Sequence, residues 1–147
     1  MMTTSNEIFI AAPPGRIFDL AARTERWPQI LPHYRSVRVL EGDEVQRVVE
    51  MSAWRDFIPV RWVAQQWNDE GGPHIRFRHI AGWTKGMEVQ WQFERDREGT
   101  RVRILHELDF QFPFAREFLG RYVVGDFFVH NIAAKTLARM KDLAERG

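Results

Sequence analysis

Apolar and polar residues alternate through the middle of the chain and recur every three or four residues towards its ends, so strands and helices separate along the sequence. Glu7-Ile8-Phe9-Ile10, within Asn6 to Ala11, predicts a short first strand; Pro13-Pro14 stops it and presets a helix start at Gly15. Ile17, Leu20 and Ala21 fall on one face of that helix. Thr24 is placed to cap a second short helix through Leu31, which Pro32 ends. Six further strands follow: Val37 to Leu40, Val45 to Trp54, Val60 to Trp67, His74 to Ile80, Met87 to Glu94 and Thr100 to Phe110. Turn chemistry divides them at Glu41-Gly42-Asp43, Asp56 to Pro59, Asn68 to Pro73, Gly82 to Gly86 and Asp96 to Gly99. Met87 to Glu94 alternates strictly, so one of its faces is buried and one is wet. From Ala115 the period is helical: Phe118, Tyr122, Gly125, Val129, Ile132, Thr136, Met140 and Leu143 make one stripe. Glu117 with Arg121, and Asp142 with Arg146, set acid before base on the outside of this helix.

An antiparallel sheet with one apolar face and one long amphipathic helix bury both stripes when the sheet curls around the helix, which predicts an α+β domain. A twisted sheet around a straight cylinder leaves space near one end, and such spaces hold ligands. There are no repeats, linkers or low-complexity tracts, so residues 1–147 read as a single domain.

Composition narrows the partners. Twenty-one basic against 20 acidic residues give a net charge of +1, so no global field gathers nucleic acid or an anionic membrane. No cysteine is present, which excludes disulfides, thiolate metal sites and cysteine nucleophiles. The opening Met1 to Asn6 lacks a basic stretch with an apolar segment behind it, and no apolar run approaches the ~20 residues that span a bilayer; the expectation is a cytoplasmic protein. Eleven Phe and six Trp exceed what a core of this size obviously needs, so part of that flat surface is expected to line a pocket.

Candidate chemistry is sparse. His106 stands among Val102, Ile104, Leu108 and Phe110 on an inward face, either as a general base or as a hydrogen-bonded core histidine. His74 and His79, five apart on a strand, face opposite sides, and the five histidines show no ligand spacing, so neither a metal nor any other cofactor is expected. Ser5, Ser36 and Ser52 sit in no nucleophile elbow and no glycine-rich phosphate loop exists, which removes hydrolase and nucleotide-dependent readings. Trp27, Trp54, Trp62, Trp83 and Trp91 suit a planar ligand, or else fill the core. The aromatic cluster from Phe110 to Phe128 reads as a pocket mouth, a dimer patch, a lip for transient membrane contact, or ordinary corner packing. Asn131 lies beside the helical stripe, placed to offer an amide to a ligand carbonyl. Arg95, Arg97, Arg101 and Arg103 form a small basic patch with no aromatic platform beside it; no nucleic-acid partner is expected.

Trp27-Pro28-x-x-Leu31-Pro32-x-Tyr34, followed by Val37-x-Val39-Leu40-Glu41, resembles the opening of the polyketide cyclase/dehydrase and coenzyme Q-binding branch of the START-like superfamily. Gly82 nine residues before Trp91, Phe93-Glu94, the Glu98 to Val102 turn and Asn131 are similar to that family as well, and the likeness covers essentially the whole chain. It implies the START-like, Bet v 1-like helix-grip fold: about seven curved antiparallel strands around a C-terminal helix, with two short helices after the first strand. It also implies that Tyr34 and a mid-strand arginine handle the carbonyl and protons of a polyketide. Tyr34 is present, but the arginine position falls on Gln66, on the face of Trp62 and Ala64, which offers no full charge for an enolate. Arg78 matches a second cavity arginine of the family, although Ile75, Phe77 and His79 form the apolar set of its strand and place Arg78 outside unless a bulge intervenes. The expected catalytic set is therefore Tyr34, Arg78 and His106, and the expected ligand-binding set is Trp27, Trp54, Trp62, Gln66, Trp91, Tyr122 and Asn131. The implied partner is a small hydrophobic molecule: a polyketide in a cyclase-like protein or, alternatively, a quinone or lipid in a non-catalytic binder, with a ribosome-associated role the weakest of the three. The chain is a monomer or a homodimer in this reading.

Overall fold

Seven strands form, with period-two burial along the central ones: β1 (Met2–Ile10), β2 (Tyr34–Gly42), β3 (Gln46–Arg55), β4 (Ile58–Asp69), β5 (His74–Gly82), β6 (Glu88–Asp96) and β7 (Gly99–Leu108). The computed structural model describes residues 2–55, 57–72, 74–82, 84–108 and 132–146. All strands pair antiparallel in one sheet of order β1-β7-β6-β5-β4-β3-β2, the chain returning so that β1 lies beside the last strand. Helix α1 (Pro14–Ala22) and the single-turn α2 (Trp27–Ile30) fill the connection between β1 and β2, and α3 (Ala134–Arg146) closes the chain. This is the START-like helix-grip architecture.

Alternate residues of the central strands point to one buried face. Ile75 and Phe77 on β5, Val89 and Trp91 on β6, and Val102 and Ile104 on β7 are all buried, whereas Arg76, Arg78 and Glu88 between them are exposed. Each fully buried aliphatic side chain of this kind contributes roughly 1.5–3 kcal/mol. Helix α3 lays Thr136, Leu137, Met140 and Ala144 against this face and leaves Lys135, Ala138, Glu145 and Arg146 in solvent. Three ties fix its far end. Arg16 donates to the Ala144 carbonyl at 3.1 Å, where cations favour a helix C-terminus; the Ala11 N–H donates to the Glu145 carboxylate at 2.8 Å; Lys141 donates to the Phe9 carbonyl at 3.0 Å. The Asp142–Arg146 pair forms on the outer side at 3.2 Å, while Glu117–Arg121 and the stripe residues Phe118, Tyr122, Gly125 and Val129 lie outside the described residues.

Three local expectations change. β1 begins at Met2 rather than Asn6, because its backbone pairs with β7 in unbroken register from Met2 opposite Leu108 to Ile10 opposite Thr100 and needs no apolar alternation to do so. Pro59 lies within β4, opposite Trp54 near the strand start, where a missing N–H costs least. Thr24 caps nothing: residues Thr24–Arg26 form a 3₁₀ turn, and its hydroxyl donates 2.8 Å to the Gln66 side-chain oxygen.

β5 also carries one extra residue. Ala64 faces His79 and Val63 faces Ala81, so Ile80 bulges out and Gly82 comes opposite Trp62. Gly82 has φ +101°, and a Cβ there would lie 2.8 Å from the Arg61 carbonyl oxygen, so the position requires glycine.

Candidate functional site

The concave face carries two polar clusters, one closed on itself by hydrogen bonds beside a broad groove and one among rings around a small room. At the closed end Arg47, on β3 opposite Gln66, donates to the Ala22 carbonyl at 2.7 Å and to Glu25 at 2.6 Å. Burial acts to raise the Glu25 carboxyl, but the hydrogen bond and charge of Arg47 hold it below its usual value. Gln66 accepts from Thr24 and donates to the Ala22 carbonyl at 2.8 Å and to Asn68 at 2.9 Å. Helix α1 has no regular cap at its last carbonyl, so this knot satisfies the backbone and pins the helix to β3 and β4.

Four residues earlier on β4, at Trp62, aromatic rings replace the amides. The Tyr34 ring meets Trp27 edge-on at 4.9 Å and Trp62 at 6.2 Å, and Trp62 stacks on the His79 imidazole at 5.6 Å with 6° between planes. Trp27 lies 5.9 Å from Trp91 and 6.2 Å from Phe77. Together with His106, Ile104, Ala133 just before α3 and Thr136 on it, they surround an interior room of about 40 Å³. That is about the share of one or two waters, well under the ~300 Å³ of common ligand pockets.

The polar groups of this room are uncharged. Burial pushes His106 down to about 4; burial together with the nearby His106 pushes His79 down to about 3. Burial also raises the Tyr34 phenol, which stays protonated, and among the described residues its hydroxyl has no hydrogen-bond partner. His79 Nδ1 bonds the Thr84 hydroxyl. On the rim, His33 Nε2 meets the Thr136 hydroxyl at 2.8 Å; that hydroxyl already donates to the Ile132 carbonyl at 2.7 Å, so the imidazole must be the donor. Burial, with a contribution from Lys135, pushes His33 down to about 4. His33 also lines an outer groove with Trp54, Lys135 and Arg139, so this one hydrogen bond stands between groove and room.

The structure brings Tyr34, His106, Trp27, Trp62 and Trp91 of the expected set around this room. It does not bring in Arg78, which is exposed on the convex face between Gln65 and Glu88; the bulge that would have reversed its direction lies beyond it, at Ile80. Gln66 points inward but spends its amide in the closed knot. Trp54, 36% exposed, packs under the Arg35 guanidinium at 4.9 Å on the outer side of the sheet, so it is a groove residue and not part of the interior. Tyr122, Asn131 and Trp83 lie outside the described residues. Sequence reasoning missed His33, His79 and Thr136. The alternation Ile75, Phe77, His79 already put His79 inward, whereas His33 sits in an aperiodic corner with no such signal. In the basic patch, Arg101 pairs with Glu7 and Asp96, each at 2.9 Å, and Arg103 pairs with Glu7 at 3.1 Å. Among the described residues no three His, Asp or Glu cluster as a metal site, and no helix is long and apolar enough to cross a membrane.

The family described as "Polyketide cyclase / dehydrase and lipid transport" matches residues 10–128. The chain belongs to that family. This member of the cyclase/dehydrase family is 31% identical over 103 residues to a candidate polyketide cyclase of Streptomyces halstedii, covering 68% of this chain and 94% of the relative. Its backbone is similar to the Zhui aromatase/cyclase from Streptomyces sp. R1128, with a TM-score of 0.79, 18% identity and coverage of 99% of this chain and 94% of that one. A START superfamily protein from Mycobacterium smegmatis gives a TM-score of 0.73 at 12% identity, over 98% and 97% of the two chains. At such identities these structures speak for the fold alone.

Proposed function

We propose that this cyclase/dehydrase-family protein holds a small, largely aromatic, polyketide-like molecule between the concave sheet face and the C-terminal helix. The observation that carries this reading is the convergence of Trp27, Trp62, Phe77 and Trp91 with Tyr34, His79 and His106 on one interior room, in a fold that closes a sheet over a helix. The room is smaller than such a guest, so entry requires the rings to part, with Trp62 sliding off His79 and Trp27 off Tyr34. Tyr34 then donates its hydroxyl to a guest carbonyl, and His106, neutral through burial, is the proton acceptor of the catalytic form of this reading. Tyr122, in the helical stripe, and Asn131, beside it, belong to the same proposed site. A cytoplasmic location is part of this reading.

A second reading, non-catalytic binding of a quinone or lipid, is favoured by one observation: neither Gln66 nor Arg78 brings a free charge to the room, and enolate chemistry gains most from one. Native mass spectrometry of the protein purified from its source separates the two, since a retained polyketide supports the first and a retained quinone or lipid the second. Titration with that ligand tests the site itself. Trp27→Ala and Trp62→Ala should each weaken binding by about 1–3 kcal/mol, as removal of an aromatic anchor does. Affinity equal to that of the parent protein in both variants rejects the site.

A further inference from the structure

Trp54 and Phe57 stand together at the end of the β3–β4 hairpin, and both are exposed. Trp54 opposes Pro59 near the end of the ladder, and Phe57 lies in the turn beyond the last pair, Arg55 with Ile58. At 84%, Phe57 is the most exposed large apolar side chain among the described residues. Turns ordinarily put Gly, Asn, Asp or Ser where a side chain meets water on every side; here a phenyl ring takes that place. One exposed ring is unremarkable by itself, so its surroundings decide what it means.

Cations surround it. The Arg35 guanidinium lies over the Trp54 ring at 4.9 Å and donates to the Ser52 hydroxyl at 3.4 Å, and exposed Arg61 stands opposite that same Ser52. Lys135 and Arg139 line the groove that Trp54 borders. Among the described residues Arg35, Arg61 and Lys135 have no acidic partner, while Asp142, the carboxylate of the groove, is paired with Arg139 and Arg146. Arg55 and Asp56 in the turn cancel in formal charge. The net charge of +1 supplies no general field, so these three cations form a local one that favours an anionic partner.

Shape narrows the partner further. A protein would need a pocket cut to fit Phe57, and a single-stranded nucleic acid needs open ring faces, whereas one face of Trp54 is already covered by Arg35. The surface of a bilayer requires neither. A projecting phenyl ring enters the acyl boundary, an indole rests among the headgroups, and arginine and lysine meet lipid phosphates.

We infer that the β3–β4 tip docks on an anionic lipid bilayer, with Phe57 below the headgroups, Trp54 among them, and Arg35, Arg61 and Lys135 on the phosphates. The contact is peripheral, reversible and weakened by salt. It goes beyond the reading of the room as a ligand site and does not depend on it.

The test is sedimentation of the intact protein with two kinds of vesicle, phosphatidylcholine alone and equal parts of phosphatidylcholine and phosphatidylglycerol. The mixed vesicles are expected to hold the protein at least about fivefold more tightly, and added salt to release it. Phe57→Ser should weaken binding to the mixed vesicles about tenfold. Arg61→Gln combined with Lys135→Gln should also weaken it about tenfold. All three side chains are exposed, and circular dichroism verifies that the variants fold. Equal binding to both kinds of vesicle, or binding unchanged in either variant, overturns the inference. A protein left in the supernatant with both overturns it as well; if Phe57→Ser then turns a dimer into a monomer in analytical ultracentrifugation, the tip belongs to a second copy of the chain. None of these failures touches the room, because Phe57, Arg61 and Lys135 do not line it.

Discussion

The two ends of the concave face use the same materials to opposite effect. Near α1, Arg47, Gln66 and Thr24 are buried and bonded to one another, to the Ala22 carbonyl and to Glu25, and the space beside them is a groove of about 860 Å³ that Arg47, Ala22 and Glu25 help to line. At the other end Tyr34, His79 and His106 are equally buried, yet they border a small void with aromatic rings on its remaining sides. The first cluster is bonded within itself and ties α1 to the sheet, whereas the second stands beside aromatic rings and a small void, where the proposed guest would meet it. Burial alone does not separate the two, because Gln66 and His106 are almost equally hidden.

The largest expected effect comes from acid and acts on the room. Unfolded, His33, His79 and His106 take up protons near the ordinary value of 6.5; folded, they resist until about 4, about 3 and about 4. Below pH 6.5 the unfolded chain therefore binds more protons than the native one. The stability these histidines contribute is complete above pH 6.5 and is lost as pH falls from there towards 4 and then 3. The slope approaches about 1.4 kcal/mol per pH unit for each histidine. Urea titrations at stepped pH measure it, and His106→Gln should flatten the slope by one proton. A slope unchanged by that substitution would contradict a histidine held neutral by burial.

A smaller effect belongs to the closed knot. Gln66→Leu strands the Thr24 hydroxyl and weakens the hold on the Ala22 carbonyl, so unfolding free energy should drop by roughly 1–3 kcal/mol. Binding of the ligand found by native mass spectrometry should be the same for the variant as for the parent. A variant that keeps its stability but loses the ligand would move Gln66 back into the site. The smallest effect is expected for Tyr34→Phe, which removes a hydroxyl with no partner among the described residues and should change stability by less than about 1 kcal/mol. Its consequence lies in the ligand, with a two- to tenfold loss of affinity for a phenol or ketone, seen by calorimetry, and a loss of turnover if the protein is catalytic.

Much of this was legible in the alternation of residues. Ile75, Phe77 and His79 against Arg76 and Arg78, and Val102, Ile104 and His106 against Arg101 and Arg103, fix which side of each strand is buried. Parity says nothing about how far along a strand a side chain lies, which is why Gln66 shares a face with Trp62 yet belongs to the knot beneath α1. Parity also cannot see the sheet edge: Trp54 extends past the end of β2, its N–H donating to the His33 carbonyl, and so borders the groove outside. His33 was illegible for a related reason. It stands in the turn between α2 and β2, and its place against Thr136 arises only when a helix more than one hundred residues later comes back over it.

The extra residue in β5 shows how the shape of the main chain governs the aim of a ring. With Ile80 looped out, the strand bends next to Trp62, and that bend sets the angle at which the His79 imidazole lies flat under the indole. Trimming the loop-out by one residue would straighten the ladder and tilt the imidazole away without altering any atom a visitor touches. If the room holds the proposed guest, its selectivity is open to adjustment by insertion and deletion as well as by exchange of side chains, through a residue that points at solvent.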